Sequence, residues 1–156
     1  MWYGSTIWDP ALICAQIVTM QTLYYLTLGM LFWLLLGSYV PSAISLYYFF
    51  DSAAVSVKGF TGWMVITAYL ANAAATAGFL CIVVERAKKC LDFSATLTMV
   101  HLFLCLVYSG FPSNVEWYVL NFLSLVIMAV LGEWLCMRRE LREIPLSGLT
   151  ARRTAR

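Results

Sequence analysis

Charged residues are scarce in this chain. Only 12% of its 156 residues are Asp, Glu, Lys or Arg, and 62% are hydrophobic, whereas soluble domains carry about a quarter charged residues. Charge is absent from four long runs, residues 10–50, 59–84, 93–115 and 117–132. A membrane-crossing helix needs about 20 apolar residues. The composition therefore excludes an ordinary soluble domain and predicts an integral membrane protein.

Signals for catalysis and for secretion are also lacking. The chain has no G-x-S-x-G, P-loop or H-E-x-x-H motif, which removes common hydrolase, nucleotide-binding and zinc-protease signatures. The N-terminus has no positive region ahead of its first apolar run, and that run is too long for a cleaved signal peptide. We therefore expect a retained first span, no enzymatic activity, and no cofactor, metal or nucleic-acid partner.

Paired cysteines are missing as well. The five cysteines are an odd number without a C-x-x-C pair, which argues against a disulfide framework. Three of them, Cys81, Cys90 and Cys136, lie near those ends of predicted spans that we assign to the cytosol. Two interpretations stay open for these three: they are sites of S-palmitoylation, or they are small buried thiols that serve packing.

Helix-boundary residues divide the uncharged runs into spans. Asp9 before Pro10 predicts a helix start, since Asp is a preferred N-cap and Pro suits the first position; Asp92 is a second predicted N-cap. Residues 43–50 are too few to span and largely aromatic, which suits an interfacial segment. The small residues at 71–78 predict a helix at the packed centre, because small side chains let helices approach closely in lipid.

The sequence thus predicts an all-α fold, a four-helix transmembrane bundle with both termini cytosolic. Its predicted parts are a cytosolic N-terminus at 1–9, a membrane domain at 10–137 and a cytosolic basic tail at 138–156. The spans within the membrane domain are placed at about 11–36, 63–84, 93–110 and 117–137.

The basic residues fix this predicted orientation. Nine of the ten lie in two clusters, one between the second and third spans (Arg86, Lys88, Lys89) and one after Met137. Only Lys58 lies elsewhere. Loops rich in Lys and Arg stay in the cytosol. Both termini and the loop between the second and third spans are therefore predicted to be cytosolic, and the first loop is predicted to be lumenal.

Three polar residues fall near the bilayer middle: Gln21, Asn72 and His101. One interpretation is a proton or substrate path, which would make the protein a small transporter or channel. The other is hydrogen bonding between helices, worth about 0.6–2 kcal/mol per contact. A single His, no central carboxylate and no glycine-broken helix favour hydrogen bonding. His101 and Cys105 share a helix face, but two ligands do not make a metal site.

Glu133 is the one carboxylate inside a predicted span. It precedes Arg138 by five residues, which places it about 7–8 Å from the cytosolic boundary. Intramembrane ionisable residues are functional candidates. Either a Lys or Arg of residues 86–89 neutralises Glu133, which would be a structural pairing, or Glu133 faces a groove that admits a partner. The basic tail beyond it is predicted to attract anionic lipid headgroups.

Several segments resemble a known family. The shorter ones are Trp8-Asp9-Pro10, Gln16-Ile17-Val18-x-Met20-Gln21-Thr22-x-Tyr24-Tyr25, Cys90-Leu91-Asp92-Phe93 and Tyr108-Ser109-x-Phe111-Pro112. The longest is Met128-Ala129-Val130-x-Gly132-Glu133-x-Leu135-Cys136-Met137-Arg138, followed by Glu140-Leu141-x-Glu143-Ile144-Pro145-Leu146. Their order and spacing resemble the Sys-one family of Golgi membrane proteins. The match covers about residues 8–29 and 90–146 and leaves the first loop and the end of the tail unmatched.

The resemblance implies a four-pass protein of the trans-Golgi network that acts as membrane receptor for an ARF-related small GTPase with an acetylated N-terminus. Through that GTPase it would support golgin recruitment and Golgi vesicle traffic. A cytosolic partner reaches only the cytosolic face, so we place a hypothetical partner site there, made of Trp8, Asp9, Asp92, Glu133, Arg138 and Glu140. Its predicted basic rim consists of Arg86, Lys88, Lys89, Arg139 and Arg142.

Overall fold

The computed structural model describes residues 10–40, 45–84 and 87–142. Its regular elements within those ranges are all helical: α1 (Pro10–Leu36), α2 (Leu46–Phe50), a 3-10 turn (Ser52–Ala54), α3 (Phe60–Val83), α4 (Ala87–Ser109) and α5 (Val115–Arg142). Four of these helices, all but α2, are long and apolar enough to cross a membrane. The predicted all-α fold with four transmembrane helices is therefore confirmed. The helices begin before the predicted spans, and the membrane boundaries stay a prediction.

The two ends of α4 show one prediction that holds and one that fails. The helix stops before Gly110, as predicted, and this glycine has a φ of 77°, a left-handed conformation that costs glycine no steric penalty. The predicted N-cap at Asp92 is wrong, because α4 already begins at Ala87. The Ala87 N–H donates a hydrogen bond to the Glu140 carboxylate of α5 (3.2 Å), so another helix supplies the cap. The predicted N-cap at Asp9 lies outside the described residues.

α3 is the centre of the bundle. It packs against α1 and against α5, and α5 packs in turn on α4, whereas α1 and α4 touch only lightly. Ala68, Ala73, Thr76 and Ala77 of α3 are completely buried. Such small side chains let neighbouring helices approach closely in lipid, where packing rather than the hydrophobic effect drives association. The prediction that this helix forms the packed centre is confirmed.

The aromatic segment after α1, predicted to be interfacial, packs on the bundle. Phe49 of α2 packs edge-on against Phe32 of α1, with ring centroids 5.0 Å apart. The Tyr69 hydroxyl of α3 donates a hydrogen bond to the Phe49 carbonyl (2.8 Å). A five-residue helix leaves most of its carbonyls without a partner in the helix, and α3 supplies a donor. The aromatic residues at the end of α2 therefore pack on the core, and their placement at the membrane interface stays a prediction.

The bundle has two chemically different ends. We call the one formed by residues 45–60 and 110–116 the loop end, and the one formed by residues 81–90 and 136–142 the basic end. At the loop end the Glu116 carboxylate accepts a hydrogen bond from the Val57 N–H (3.0 Å). This bond and one from the Asn114 side chain to the Ser52 carbonyl (3.0 Å) hold the segment before α3 against the segment that joins α4 to α5 and the first turn of α5.

Candidate functional site

Three side chains hold the turn between α3 and α4 at the basic end. The Arg139 guanidinium donates a hydrogen bond to the Cys81 carbonyl in the last turn of α3 (3.0 Å). The Gln16 amide of α1 donates to the Val83 carbonyl (3.0 Å). Helix C-terminal carbonyls carry partial negative charge, and helix N-terminal N–H groups carry partial positive charge. Arg139 therefore complements the end of α3, and Glu140 complements the start of α4.

Arg139 and Glu140 thus have a structural part in the bundle. Sequence reasoning had placed Glu140 in the partner site and Arg139 in its basic rim, and their part in binding stays a prediction. The signal that could have shown the structural role is the short distance in sequence between the end of α3 at Val83 and the start of α4 at Ala87. Cationic and anionic side chains suit the two helix ends that meet there.

Glu133 lies nearly two turns deeper along α5, next to Gly132, which lies against Cys90 of α4. Its side chain is half-buried. A Cβ at Gly132 would lie 3.2 Å from the Leu80 side chain of α3, a tight contact, and 3.7 Å from the Cys90 Cβ of α4, an ordinary one. Within the described part of the chain, no hydrogen bond or ion pair reaches Glu133. Lys88 and Lys89 do not pair with Glu133, and Arg86, the third basic residue of residues 86–89, lies outside the described residues. Both alternatives, the structural pairing and a groove that admits a partner, therefore stay predictions.

Two of the other predicted site residues, Asp92 and Arg138, do not lie beside Glu133. Asp92 is exposed, and at about 100° per residue it lies about 200° around α4 from Cys90, on the face turned away from α5. Arg138 is about 140° around α5 from Glu133, and it lies over the Trp134 ring at 5.2 Å.

The rest of the predicted rim is only partly described. Lys88 and Lys89 are exposed at the start of α4. The backbone of Arg142 ends α5, but its side chain is not described. Arg86 of the rim lies outside the described residues, as do Trp8 and Asp9 of the partner site, so the part of all three stays a prediction.

The polar residues near the bilayer middle link α1 to α4. The Gln21 amide donates a hydrogen bond to the Leu97 carbonyl (3.3 Å). The Tyr25 hydroxyl and the His101 Nδ1 are 3.0 Å apart, and the Cys105 thiol approaches the His101 Nε2 at 3.6 Å. Both ring nitrogens of His101 therefore have a neighbour, and the side chain is 1% exposed. This geometry favours hydrogen bonding between helices over a proton or substrate path.

Sequence reasoning missed the aromatic side chains around His101. Four rings have centroids within 6.1 Å of the imidazole, those of Tyr24, Tyr25, Phe50 and Tyr69. Tyr24 and Tyr25 follow Gln21 by three and four residues, the spacing that places side chains on one helix face, and this was the available signal. Asn72 is fully buried, and in the described structure its amide atoms have no hydrogen-bond partner.

Comparison with known proteins identifies the family. A family model described as "SYS1: Integral membrane protein S linking to the trans Golgi network" matches residues 3–146. The chain belongs to the SYS1 family. The match includes the first loop, which inspection of the sequence had left unmatched. This family member is an integral membrane protein of the trans-Golgi network, and its four apolar helices fit a multi-pass topology.

Named relatives agree with this assignment. The "Protein SYS1 homolog" of Dictyostelium discoideum is 44% identical over 147 residues, which cover 94% of this chain and 62% of that relative. The "Protein SYS1 homolog" of Nematostella vectensis is 38% identical over 146 residues, 93% of this chain and 92% of its own length. "Protein SYS1" of Saccharomyces cerevisiae is 29% identical over 143 residues, 90% of this chain and 70% of the relative. No solved structure matches the chain.

Proposed function

We propose that this SYS1-family protein is a non-enzymatic membrane receptor that recruits an acetylated ARF-related small GTPase to the trans-Golgi network, where it supports golgin recruitment and vesicle traffic. Membership of a family linked to the trans-Golgi network supports the location. The clustering of basic residues supports a cytosolic basic end, which is the end that a cytosolic GTPase can reach.

The single observation that carries a binding role is Glu133. A carboxylate half-buried near the membrane boundary, with no hydrogen bond or ion pair in the described structure, carries a desolvation cost that a bound donor would relieve. The first N–H groups of a helix are such donors, and they carry partial positive charge. Acetylation removes the charge of a protein N-terminus. An acetylated N-terminal helix thereby fits an apolar seam that contains one acidic acceptor.

Arg138 adds a second contact at a different height. Five residues of α5 separate it from Glu133, about 7.5 Å along the helix axis, so it lies toward the headgroups. Its guanidinium is exposed and held over Trp134. In this arrangement Glu133 receives the inserted segment, while Arg138 and the neighbouring basic residues attract anionic headgroups and acidic groups of the GTPase.

The test is co-flotation of the GTP-bound, N-acetylated GTPase with vesicles that contain the full chain. We expect Glu133→Gln and Arg138→Ala each to weaken recruitment at least fivefold. Lys58→Ala is the matched control, because it removes an exposed cation from the loop end and should leave recruitment unchanged. Size-exclusion profiles establish that each variant folds. Normal recruitment by folded Glu133→Gln and Arg138→Ala would overturn the proposed site, and no recruitment by the wild-type chain would overturn the function.

A further inference from the structure

Three thiols from three different helices meet at the basic end. The Sγ atoms of Cys90 on α4 and Cys136 on α5 are 3.2 Å apart, and both residues are buried, with exposures of 0% and 1%. The Cys81 carbonyl of α3 accepts a hydrogen bond from Arg139 of α5 (3.0 Å), which places Cys81 at the same end of the bundle, and its side chain is partly exposed. The proposed receptor function uses none of these thiols.

The helix packing explains how the two sulfurs come so close. Gly132 lies one turn before Cys136, and a Cβ at this position would approach Leu80 at 3.2 Å and Cys90 at 3.7 Å. The missing side chain therefore lets Leu80 of α3 pack tightly on α5 at this level, and Cys90 of α4 lies at ordinary contact distance. A disulfide needs its Sγ atoms at about 2.05 Å. The two sulfurs, 3.2 Å apart, need to approach by about 1 Å to bond.

We propose that Cys90 and Cys136 form an oxidisable dithiol that locks α4 to α5, with Cys81 as the thiol through which a peroxide reaches it. Buried cysteines react slowly because an oxidant cannot approach them. Cys81 has the exposure that the pair lacks. This inference concerns the covalent chemistry of the fold and holds whether or not the protein recruits a GTPase.

The chemistry balances in three steps. Hydrogen peroxide oxidises the Cys81 thiol to a sulfenic acid and releases water. The Cys136 thiol then attacks that sulfur, a Cys81–Cys136 disulfide forms, and a second water leaves. Finally the Cys90 thiolate attacks Cys136, which forms the Cys90–Cys136 disulfide and returns Cys81 to the thiol. The net reaction converts two thiols and one peroxide into one disulfide and two waters.

The test uses the full chain in lipid nanodiscs, in a Cys14→Ser background that removes the exposed thiol of α1. After peroxide treatment the chain is denatured, its remaining thiols are alkylated, and its mass and linked peptides are determined. We expect two of the four thiols to be lost, with Cys90 linked to Cys136. Cys105 is the internal control, because it is buried beside His101 and should be alkylated in full.

Two variants make the result specific. Cys136→Ser should form no disulfide, because Cys136 takes part in both disulfides of the scheme: Cys90 and Cys105 should stay thiols, and Cys81 should be recovered as the sulfenic acid. Cys81→Ser should slow the loss of thiols at least tenfold. Cys14 of the wild-type chain serves as the positive control for the oxidant. Retention of all four thiols, at a peroxide concentration that oxidises Cys14, would overturn the dithiol; an unchanged rate in Cys81→Ser would overturn its role as the route in.

Discussion

Arg139 and Glu140 are neighbours in sequence but bind the ends of two different helices. Arg139 donates to the Cys81 carbonyl near the end of α3, and Glu140 accepts from the Ala87 N–H that begins α4. One dipeptide of α5 thereby holds both sides of the α3–α4 connection. The charge of each side chain matches the helix end that it contacts, so the pair has a structural role that the neighbouring Arg138 lacks.

We therefore expect Arg139→Ala to lower the free energy of unfolding by about 0.5–1 kcal/mol, the size of a helix-end interaction at an exposed site. Glu140→Gln should also lower the free energy of unfolding, but by less, because the amide oxygen can still accept the bond. Arg138→Ala is the matched control and should lower the free energy of unfolding less than Arg139→Ala does. Reversible unfolding in mixed detergent micelles measures all three. Equal stability of the Arg139→Ala and Arg138→Ala variants would contradict the structural role.

Gly62 predicts a steric effect at the loop end. A Cβ at this position would overlap the carbonyl oxygen of Ser56, a backbone atom that cannot rotate away. Gly62→Ala should therefore displace the first loop from α3 and cost about 1–3 kcal/mol, the usual range for overpacking. Gly78→Ala in the same helix is the control, because nothing lies within 4 Å of its added Cβ.

The Gly62→Ala comparison is made by thermal unfolding in detergent. A lower midpoint for Gly62→Ala than for Gly78→Ala is expected. If the two variants unfold at the same temperature, the loop does not pack against α3 as the structure shows.

Much of the fold was predictable because the relevant signals are local or additive. Four uncharged runs predicted four membrane helices, and the small residues of α3 predicted the packed centre, since both follow from side-chain size and polarity along one segment. The stop before Gly110 was predictable for the same reason, as a glycine followed closely by Pro112 is a strong local signal for a helix end.

The failures all concern contacts between segments distant in sequence. Asp92 has the chemistry of an N-cap, yet Glu140 from another helix caps α4, and no local pattern reports that. The aromatic residues of α2 suit a membrane interface as isolated side chains, and no local pattern shows that Phe49 packs on Phe32 and that its carbonyl accepts a bond from Tyr69. The proposed site divides in the same way: the sequence showed an isolated acidic residue at 133, but could not show that Asp92 lies on the far face of α4.

The hydrogen bond between Tyr25 and His101 can distinguish hydrogen bonding between helices from the transporter alternative. Tyr25→Phe removes one hydrogen bond between helices and should cost about 0.6–2 kcal/mol. His101→Ala also loses the packing with four aromatic rings and leaves a cavity, so it should cost more, about 2–4 kcal/mol. Both variants should still recruit the GTPase when they fold. If a Tyr25→Phe variant of normal stability loses the protein's function, that result would instead favour a proton or substrate path through Gln21, Asn72 and His101.

The orientation of the chain can be measured from two lysines at opposite ends of the bundle. Lys58 is exposed at the loop end and Lys89 is exposed at the basic end. Six of the ten basic residues belong to the basic end, and three more follow Arg142 in the sequence, which predicts that this end is cytosolic. Anionic lipid of the cytosolic leaflet adds about 1 kcal/mol of attraction per nearby Lys or Arg.

In sealed Golgi vesicles of the Cys14→Ser background, a membrane-impermeant maleimide should therefore label Lys89→Cys directly. Lys58→Cys should react only after detergent opens the vesicles, and the background chain without either substitution gives the signal from the native cysteines. The reverse pattern would place Glu133 and Arg138 near the lumenal leaflet. A cytosolic GTPase could not reach them there, so this one measurement decides whether the basic end can be a receptor surface at all.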